Sequence, residues 1–352
     1  MRKSDESDKM KEYFLDLEPD EIEKTVLSLG EKTFRAKQLI EWAYKKRTED
    51  FSKCATLPLA LRDALAEKYS LRSLKFEDVK TSRFDGTARF HFLTRDGYNV
   101  FAVFLPAKER NSVCLSTQVG CPVGCAFCFS GKTKFKRNLT RGEILEQIIR
   151  IEKESGAKIS GVLFMGMGEP LLNFDNVLSA VRSLIDYRQF GIGRRHITIS
   201  TVGLVPLIRK LADEELGVRL ALSLHAPDDT IRKKLISGNI SYTVNEILKA
   251  GLYFARKNNS RLTVEYILIA GVNDSLECAK KFVKLLERSS RAKDEIQVNL
   301  IPFNDTNDPG LFSAPAESNL RFKNFLIKNG VLAMIRQPRG ADIGAACGQL
   351  GI

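Results

Sequence analysis

The sequence predicts an α/β protein: a partial (β/α)6 barrel of the TIM type over residues 107–352, preceded by a small helical domain at 1–75 and a β-hairpin linker at 76–106. Three observations carry this. From about residue 110 short apolar runs alternate with amphipathic stretches, the pattern of repeated β–α units around a parallel sheet. Before that point the spacing is helical, then switches to period two. Residues able to do chemistry fall at strand ends, the face on which such barrels carry their sites.

In chain order, Glu18-Pro19-Asp20-Glu21 opens a helix that Gly30 ends. Apolar positions from Phe34 to Tyr44, and again from Leu59 to Tyr69, predict two more. Thr87–Leu93 and Asn99–Leu105 alternate as strands around the Asp96-Gly97 hairpin signal. Seven further strands are predicted at 112–117, 160–165, 196–200, 218–224, 262–269, 295–301 and 332–336. Helical patterns at Arg141–Glu154, Asn173–Asp186, Val244–Lys257, Asp274–Arg288 and Glu317–Lys328 lie between most of them.

Composition narrows the function. No run reaches the length of a membrane-spanning helix. The charged start Met1-Arg2-Lys3-Ser4-Asp5-Glu6 has no apolar segment behind it, so a cytoplasmic protein without a signal peptide is expected. The 55 Lys and Arg against 43 Asp and Glu give a net charge of +12, which suits nucleic acid as well as plain solubility. Lys45-Lys46-Arg47 and the group Lys132, Lys134, Lys136, Arg137 and Arg141 are candidate phosphate contacts. Seven cysteines, four of them between Cys114 and Cys128, point to metal or redox chemistry rather than a secreted disulfide framework.

The central motif is Cys121-Pro122-Val123-Gly124-Cys125-Ala126-Phe127-Cys128, spaced C-x3-C-x2-C. Structural zinc takes four ligands, usually in two pairs, and no second pair exists here. A [4Fe–4S] cluster is held by thiolates, and three would leave one iron open. The spacing, with Phe127 before the last cysteine, resembles radical S-adenosylmethionine (SAM) enzymes, in which the open iron binds SAM. That resemblance implies Cys121, Cys125 and Cys128 as cluster ligands and Phe127 beside them. Gly166-Met167-Gly168-Glu169-Pro170 then resembles the segment that holds the SAM amino group, with Gly168 and Glu169 in contact. Taken alone it reads equally as a tight turn. Ser200, and the run Ser223-Leu224-His225, end apolar strands. A hydroxyl there could instead cap a helix, and a lone histidine is more often structural. Cys114 and Cys347, each taken singly, read as inert, as do Cys54 and Cys278. Arg336 and Arg339 lie upstream of Cys347, and nearby cations favour a thiolate.

Together these stretches resemble the RlmN/Cfr family of radical SAM RNA methyltransferases over nearly the whole chain. The most specific segments are Ser116–Cys128, Arg137-Asn138-Leu139, Met165–Pro170, Ser223–Pro227, Asn299–Asn304 and Asp342–Leu350. The resemblance implies a [4Fe–4S] cluster, two SAM per turnover, and SAM contacts at Gly168, Glu169, Ser200, Ser223, Leu224, His225 and Asn304. It makes Cys347 the residue methylated first and Cys114 the thiol that releases the product, with a disulfide between them. RlmN-type enzymes methylate C2 of an adenosine in 23S rRNA and in tRNA beside the anticodon, while Cfr-type enzymes methylate C8 in the rRNA. C2 is favoured; another RNA target for a diverged enzyme, or a non-catalytic RNA-binding protein with a metal site, are the alternatives. An electron donor such as flavodoxin or ferredoxin and a monomeric state complete the expectation. Three positions depart from the family: Phe101 replaces a hairpin glutamate proposed as proton acceptor, Gly344 ends Asp342-Ile343-Gly344 where Asp-Ile-Asp is usual, and Ser237-Gly238-Asn239 replaces Pro-Ile-Asn.

Overall fold

The computed structural model describes residues 11–238, 241–289, 294–306 and 310–351. The charged N-terminal hexapeptide and Asn239 lie outside them. Helices α1 (Pro19–Ser28), α2 (Phe34–Ile40) and α3 (Leu59–Lys68) form the N-terminal part, α2 running on into a π-helical turn at Glu41–Lys45. Helix α1 starts as its sequence dictates, with Pro19 at the first turn and a reciprocal capping box between Glu18 and Glu21. Buried Phe14, Tyr44 and Leu65 belong to the same hydrophobic core as the barrel.

One ten-stranded sheet organises the remainder, its strands lying in sequence order. Strands β1 (Lys75–Thr81), β2 (Ala88–Leu93), β3 (Asn99–Leu105) and β4 (Ser112–Cys114) pair antiparallel. From β4 onward the pairing is parallel through β5 (Gly161–Phe164), β6 (Ile197–Thr201), β7 (Arg219–Ser223), β8 (Leu262–Leu268), β9 (Ile296–Pro302) and β10 (Leu332–Ile335). All seven strands expected after residue 110 are present. The crossover helices include α4 (Arg141–Ser155), α5 (Phe174–Ile185), α6 (Val205–Asp213), α7 (Asp229–Leu235), α8 (Val244–Lys257), α9 (Leu276–Ser289) and α10 (Ala316–Lys328). Among the described residues, six β–α units and a closing strand thus make the partial barrel.

Strand β1 was not foreseen. It is an almost wholly exposed, charged edge strand, so neither face gives an apolar alternation to read. The hairpin also does more than link: β3 hydrogen-bonds to β4 and extends the barrel sheet.

Candidate active site at the strand ends

The three clustered cysteines follow β4 and line one cavity with Glu169, Ser200, Ser223 and His225. Their loop is closely packed. Gly124 has a φ of +68°, and a side chain on Gly131 would come within 2.8 Å of the Cys125 nitrogen. Ala126 donates to the Leu235 carbonyl (2.9 Å), and Ser237 Oγ donates to the Gly124 carbonyl (2.8 Å). The departure at 237–238 therefore has a local reason: a Cβ on Gly238 would lie 2.3 Å from the Val123 carbonyl oxygen.

Burial pushes the Cys121 thiol up to about 12 and raises those of Cys125 and Cys128. Charge on Cys128 and Cys121 raises Cys125 further, and charge on Cys128 raises Cys121. A cationic cluster would relieve this repulsion, because thiolates are the liganding form. Among the described residues no three His, Cys, Asp or Glu side chains converge tightly enough for a single metal ion. Thiols spread around one cavity suit a polynuclear cluster, as the C-x3-C-x2-C spacing does.

Glu169 is buried where β5 ends, its Oε1 taking the Leu171 N–H (3.0 Å) and its Oε2 the Val202 N–H (2.9 Å). Burial raises its pKa to about 7. Gly166 and Gly168 line the cavity, but their lack of a side chain serves packing: a Cβ on either would strike the Leu115–Gln118 segment at 2.5–2.6 Å. Ser200 and Ser223 face each other across β6 and β7, hydroxyls 3.3 Å apart. His225 has a φ of +61°, accepts the Ile267 N–H at Nδ1 (3.1 Å) and meets Phe127 edge-on at 4.8 Å. Burial first and Arg232 second push its pKa down to about 3, so its ring stays neutral. Two expected SAM contacts do not line this cavity. Leu224 is fully buried in the core, and Asn304 donates to the Cys347 carbonyl (3.1 Å).

Cys347 is exposed and lines the cavity; surrounding protein still raises its pKa by burial, opposed by Arg336. Its loop is stitched to the segment after the cluster motif. Phe129 donates to the Gly348 carbonyl (2.7 Å) and Ser130 Oγ to the Leu350 carbonyl (2.6 Å). Cys114 ends β4, with burial and then the Cys347 thiolate raising it to about 12. The implied disulfide is not formed; both cysteines are free thiols.

Of the two upstream arginines, only Arg336 faces this chemistry. It lines the cavity, pairs with Glu265 at 3.7 Å and acts on both Cys347 and Cys114. Arg339 instead donates to the Asp85 and Pro106 carbonyls. Glu265 was missed by sequence reasoning. It is 3% exposed, takes Asn299 Nδ2 on Oε1 (2.9 Å), has no hydrogen bond to Oε2 among the described residues, and lines the cavity. The readable signal was a carboxylate inside the apolar run Val264-Glu265-Tyr266.

The expected phosphate contacts divide. Arg141 is buried and bonds Tyr44, Ser183, Gln189 and the Leu15 carbonyl, so it is structural. Arg137 is held between Asp96 and Glu143. Arg47 pairs with Glu152, and Lys46 sits over the Trp42 ring. Lys132, Lys134 and Lys136 are exposed.

A half-open parallel barrel with three thiols and a buried carboxylate at its strand ends defines a radical SAM enzyme. The Radical SAM superfamily profile matches residues 115–286, and that of the ribosomal RNA large subunit methyltransferase N-terminal domain matches 13–71. A probable dual-specificity RNA methyltransferase RlmN of Endomicrobium trichonymphae is 50% identical over 97% of both chains, and one of Thermotoga neapolitana 44% over 96% of both. The crystal structure of a radical SAM methyltransferase from Sphaerobacter thermophilus superposes with a TM-score of 0.90 at 38% identity, covering 96% of this chain and 98% of that one. The chain belongs to the RlmN family of radical SAM RNA methyltransferases, and its cofactors are a [4Fe–4S] cluster and SAM. No described helix is long and apolar enough to cross a membrane.

Proposed function

We propose that this enzyme methylates C2 of an adenosine in 23S rRNA, and in tRNA beside the anticodon, through an S-methylcysteine at Cys347. The observation that carries the reading is the placement of Cys347 on the wall of the cavity lined by Cys121, Cys125 and Cys128, with Cys114 and Arg336 next to it. Cys121, Cys125 and Cys128 would hold the cluster, which when bound to SAM supplies one-electron cleavage and a hydrogen-abstracting radical. Glu169 orients the SAM ammonium with the oxygen lone pairs its two backbone donors leave open. Neutral His225 and the Ser200–Ser223 pair shape the wall around the nucleoside.

Cys347 acts twice. As a thiolate, favoured by the Arg336 guanidinium, it accepts a methyl group by displacement from one SAM. Adenine C2 is a poor nucleophile and would not take that methyl directly. With a second SAM consumed, the sulfur-borne carbon is joined to C2 as C2 gives up its hydrogen as a proton. The Cys114 thiolate then attacks the Cys347 sulfur, so the sulfur–carbon bond breaks as a Cys114–Cys347 disulfide forms. The released carbon takes a proton to become the methyl group, and a thiol reductant restores both cysteines. The reading includes a monomer in the cytoplasm, with electrons from a flavodoxin- or ferredoxin-type donor.

The test is reaction of the anaerobically reconstituted enzyme with 23S rRNA fragments and tRNA, followed by nucleoside mass spectrometry. 2-Methyladenosine is the expected product. Formation of 8-methyladenosine alone would replace C2 by C8, and no methylated adenosine would refute the reading.

A further inference from the structure

We infer that Phe84, at the tip of the turn between β1 and β2, is a stacking platform for an RNA base next to the target adenosine; this rests on the reading that the enzyme methylates an adenine within RNA. The Phe84 ring is 80% exposed, so it contributes almost nothing to the core. Its turn is nonetheless built to hold it. Ser82 donates to the Thr87 carbonyl (2.7 Å) and Gly86 to the Ser82 carbonyl (3.2 Å). Ser82 Oγ accepts the Phe84 N–H (3.2 Å), and Asp85 Oδ1 accepts the Thr87 N–H (2.8 Å). A water-exposed aromatic on a rigid turn can stack a base with little loss of its own freedom.

The same turn is fastened to the loop that carries Cys347. Asp85 Oδ2 accepts the Gly340 N–H at 2.9 Å, and Arg339 bridges the Asp85 and Pro106 carbonyls at 3.2 and 2.8 Å. Gly340 sits at a φ of +64°, where a Cβ would lie 2.8 Å from both the Thr87 methyl and the Ala345 side chain. Ala345, two residues before Cys347, donates back to the Gly340 carbonyl (2.9 Å). Phe84 and Cys347 therefore belong to one braced unit.

Charge favours RNA as the occupant. Arg83 beside Phe84, Lys80 on β1, and Lys108 and Arg110 in the loop after β3 are exposed, and outnumber the exposed acids of the same segments, Glu77, Asp78 and Glu109. Pro106 of that loop lies 3.4 Å from the position of a Gly86 Cβ. One aromatic among cations is the recognition surface of unstacked nucleic acid, whereas a protein partner would call for a wider apolar patch. An adenine that reaches Cys347 must leave its stack, and its neighbour then needs a new face.

The experiment uses the full, reconstituted chain and an RNA hairpin, with adenosine in its loop, that the wild type methylates. Phe84→Ala should bind this hairpin about tenfold more weakly by fluorescence anisotropy, with an unfolding midpoint like that of wild type, and Phe84→Trp should restore binding. With an abasic nucleotide in turn on either side of the adenosine, one of the two RNAs should bind wild type and Phe84→Ala alike. Equal Kd values for wild type and Phe84→Ala on the intact hairpin, or the same tenfold gap on both abasic RNAs, overturn the inference. A wild type that methylates no RNA refutes the underlying reading instead.

Discussion

Asn304 Nδ2 donates to the Cys347 carbonyl at 3.1 Å, tying the end of β9 to a loop 43 residues further along the chain. A neutral hydrogen bond of this kind contributes about 1 kcal/mol, and losing it leaves a carbonyl to find another partner. Its value here is positional, because displacement at sulfur depends on alignment. Asn304→Ala should load iron and sulfide normally and methylate Cys347 about fivefold more slowly, read by peptide mass spectrometry. An unchanged methylation rate would show that Asn304 does not position the loop.

The two spare cysteines should fail differently. Cys347→Ala removes the acceptor, so it never carries a methyl group and never links to RNA. Cys114→Ala keeps the acceptor and loses the release step, so it should stall as a covalent protein–RNA adduct. Nuclease treatment should then leave a nucleotide-sized mass on the Cys347 peptide. Normal turnover by either variant refutes the two-cysteine chemistry.

The barrel was legible in the sequence because its buried strands are short apolar runs and five of its crossover helices carry a face at period 3.6. Helices α6 and α7, nine and seven residues long, were not foreseen, being too short to show that period. Strand β1 was not, since an exposed edge strand has no buried face to impose a pattern. The three clustered cysteines were legible because their spacing marks them, whereas Glu169, Cys114 and Cys347 were singled out only by the resemblance to the family. Glu265 was hidden because a charge in an apolar strand has no motif, and its meaning comes from the Ser223–Glu265–Asn299 register across three strands. Arg141 misled for the opposite reason: a basic residue among lysines reads as surface, and only the tertiary fold brings Leu15, Tyr44, Ser183 and Gln189 around it.

The basic residues after the cluster loop should therefore separate by phenotype. Replacing Lys132, Lys134 and Lys136 with Gln should leave stability within about 0.5 kcal/mol. It should also flatten the salt dependence of RNA binding by roughly 0.7–0.9 log unit per lost phosphate contact. Arg141→Ala should cost on the order of 3 kcal/mol, because it strands several buried acceptors. Urea unfolding measures the second effect. A triple variant with an unchanged salt slope would place the RNA elsewhere.

His225 gives a pH dependence with a definite sign. Its folded pKa is pushed from 6.5 to about 3 by burial and by Arg232. Between those values the unfolded chain holds a proton that the folded chain does not. Stability attributable to this group is thus fully present above about 6.5 and falls as pH drops, by up to about 1.4 kcal/mol per pH unit. His225→Gln should lose less stability than wild type between pH 7 and pH 5 in urea unfolding. Equal losses would mean that the imidazole is not held neutral.

Phe101 tests the departure from the family. It is 8% exposed and packs with Val103, Met167, Ala345 and Leu350, on the loop that carries Cys347. His91 stacks on it at 4.7 Å, and the Arg89 guanidinium lies 5.3 Å from its ring. Gly344 completes the exchange, because Arg89 Nη1 lies 2.8 Å from where its Cβ would be. A glutamate at 101 would enter an apolar cluster but find Arg89 and His91 in reach. Phe101→Glu should therefore fold, at a cost of about 1–3 kcal/mol for burying the carboxylate. Methylation at C2 requires loss of the C2 hydrogen as a proton, and Phe101 offers no acceptor for it. The wild type should accordingly accumulate a measurable fraction of RNA-linked protein during turnover, and Phe101→Glu should lower that fraction severalfold. A wild type that accumulates no adduct, or a folded Phe101→Glu variant with the same adduct level, would assign proton removal to a group other than the hairpin position.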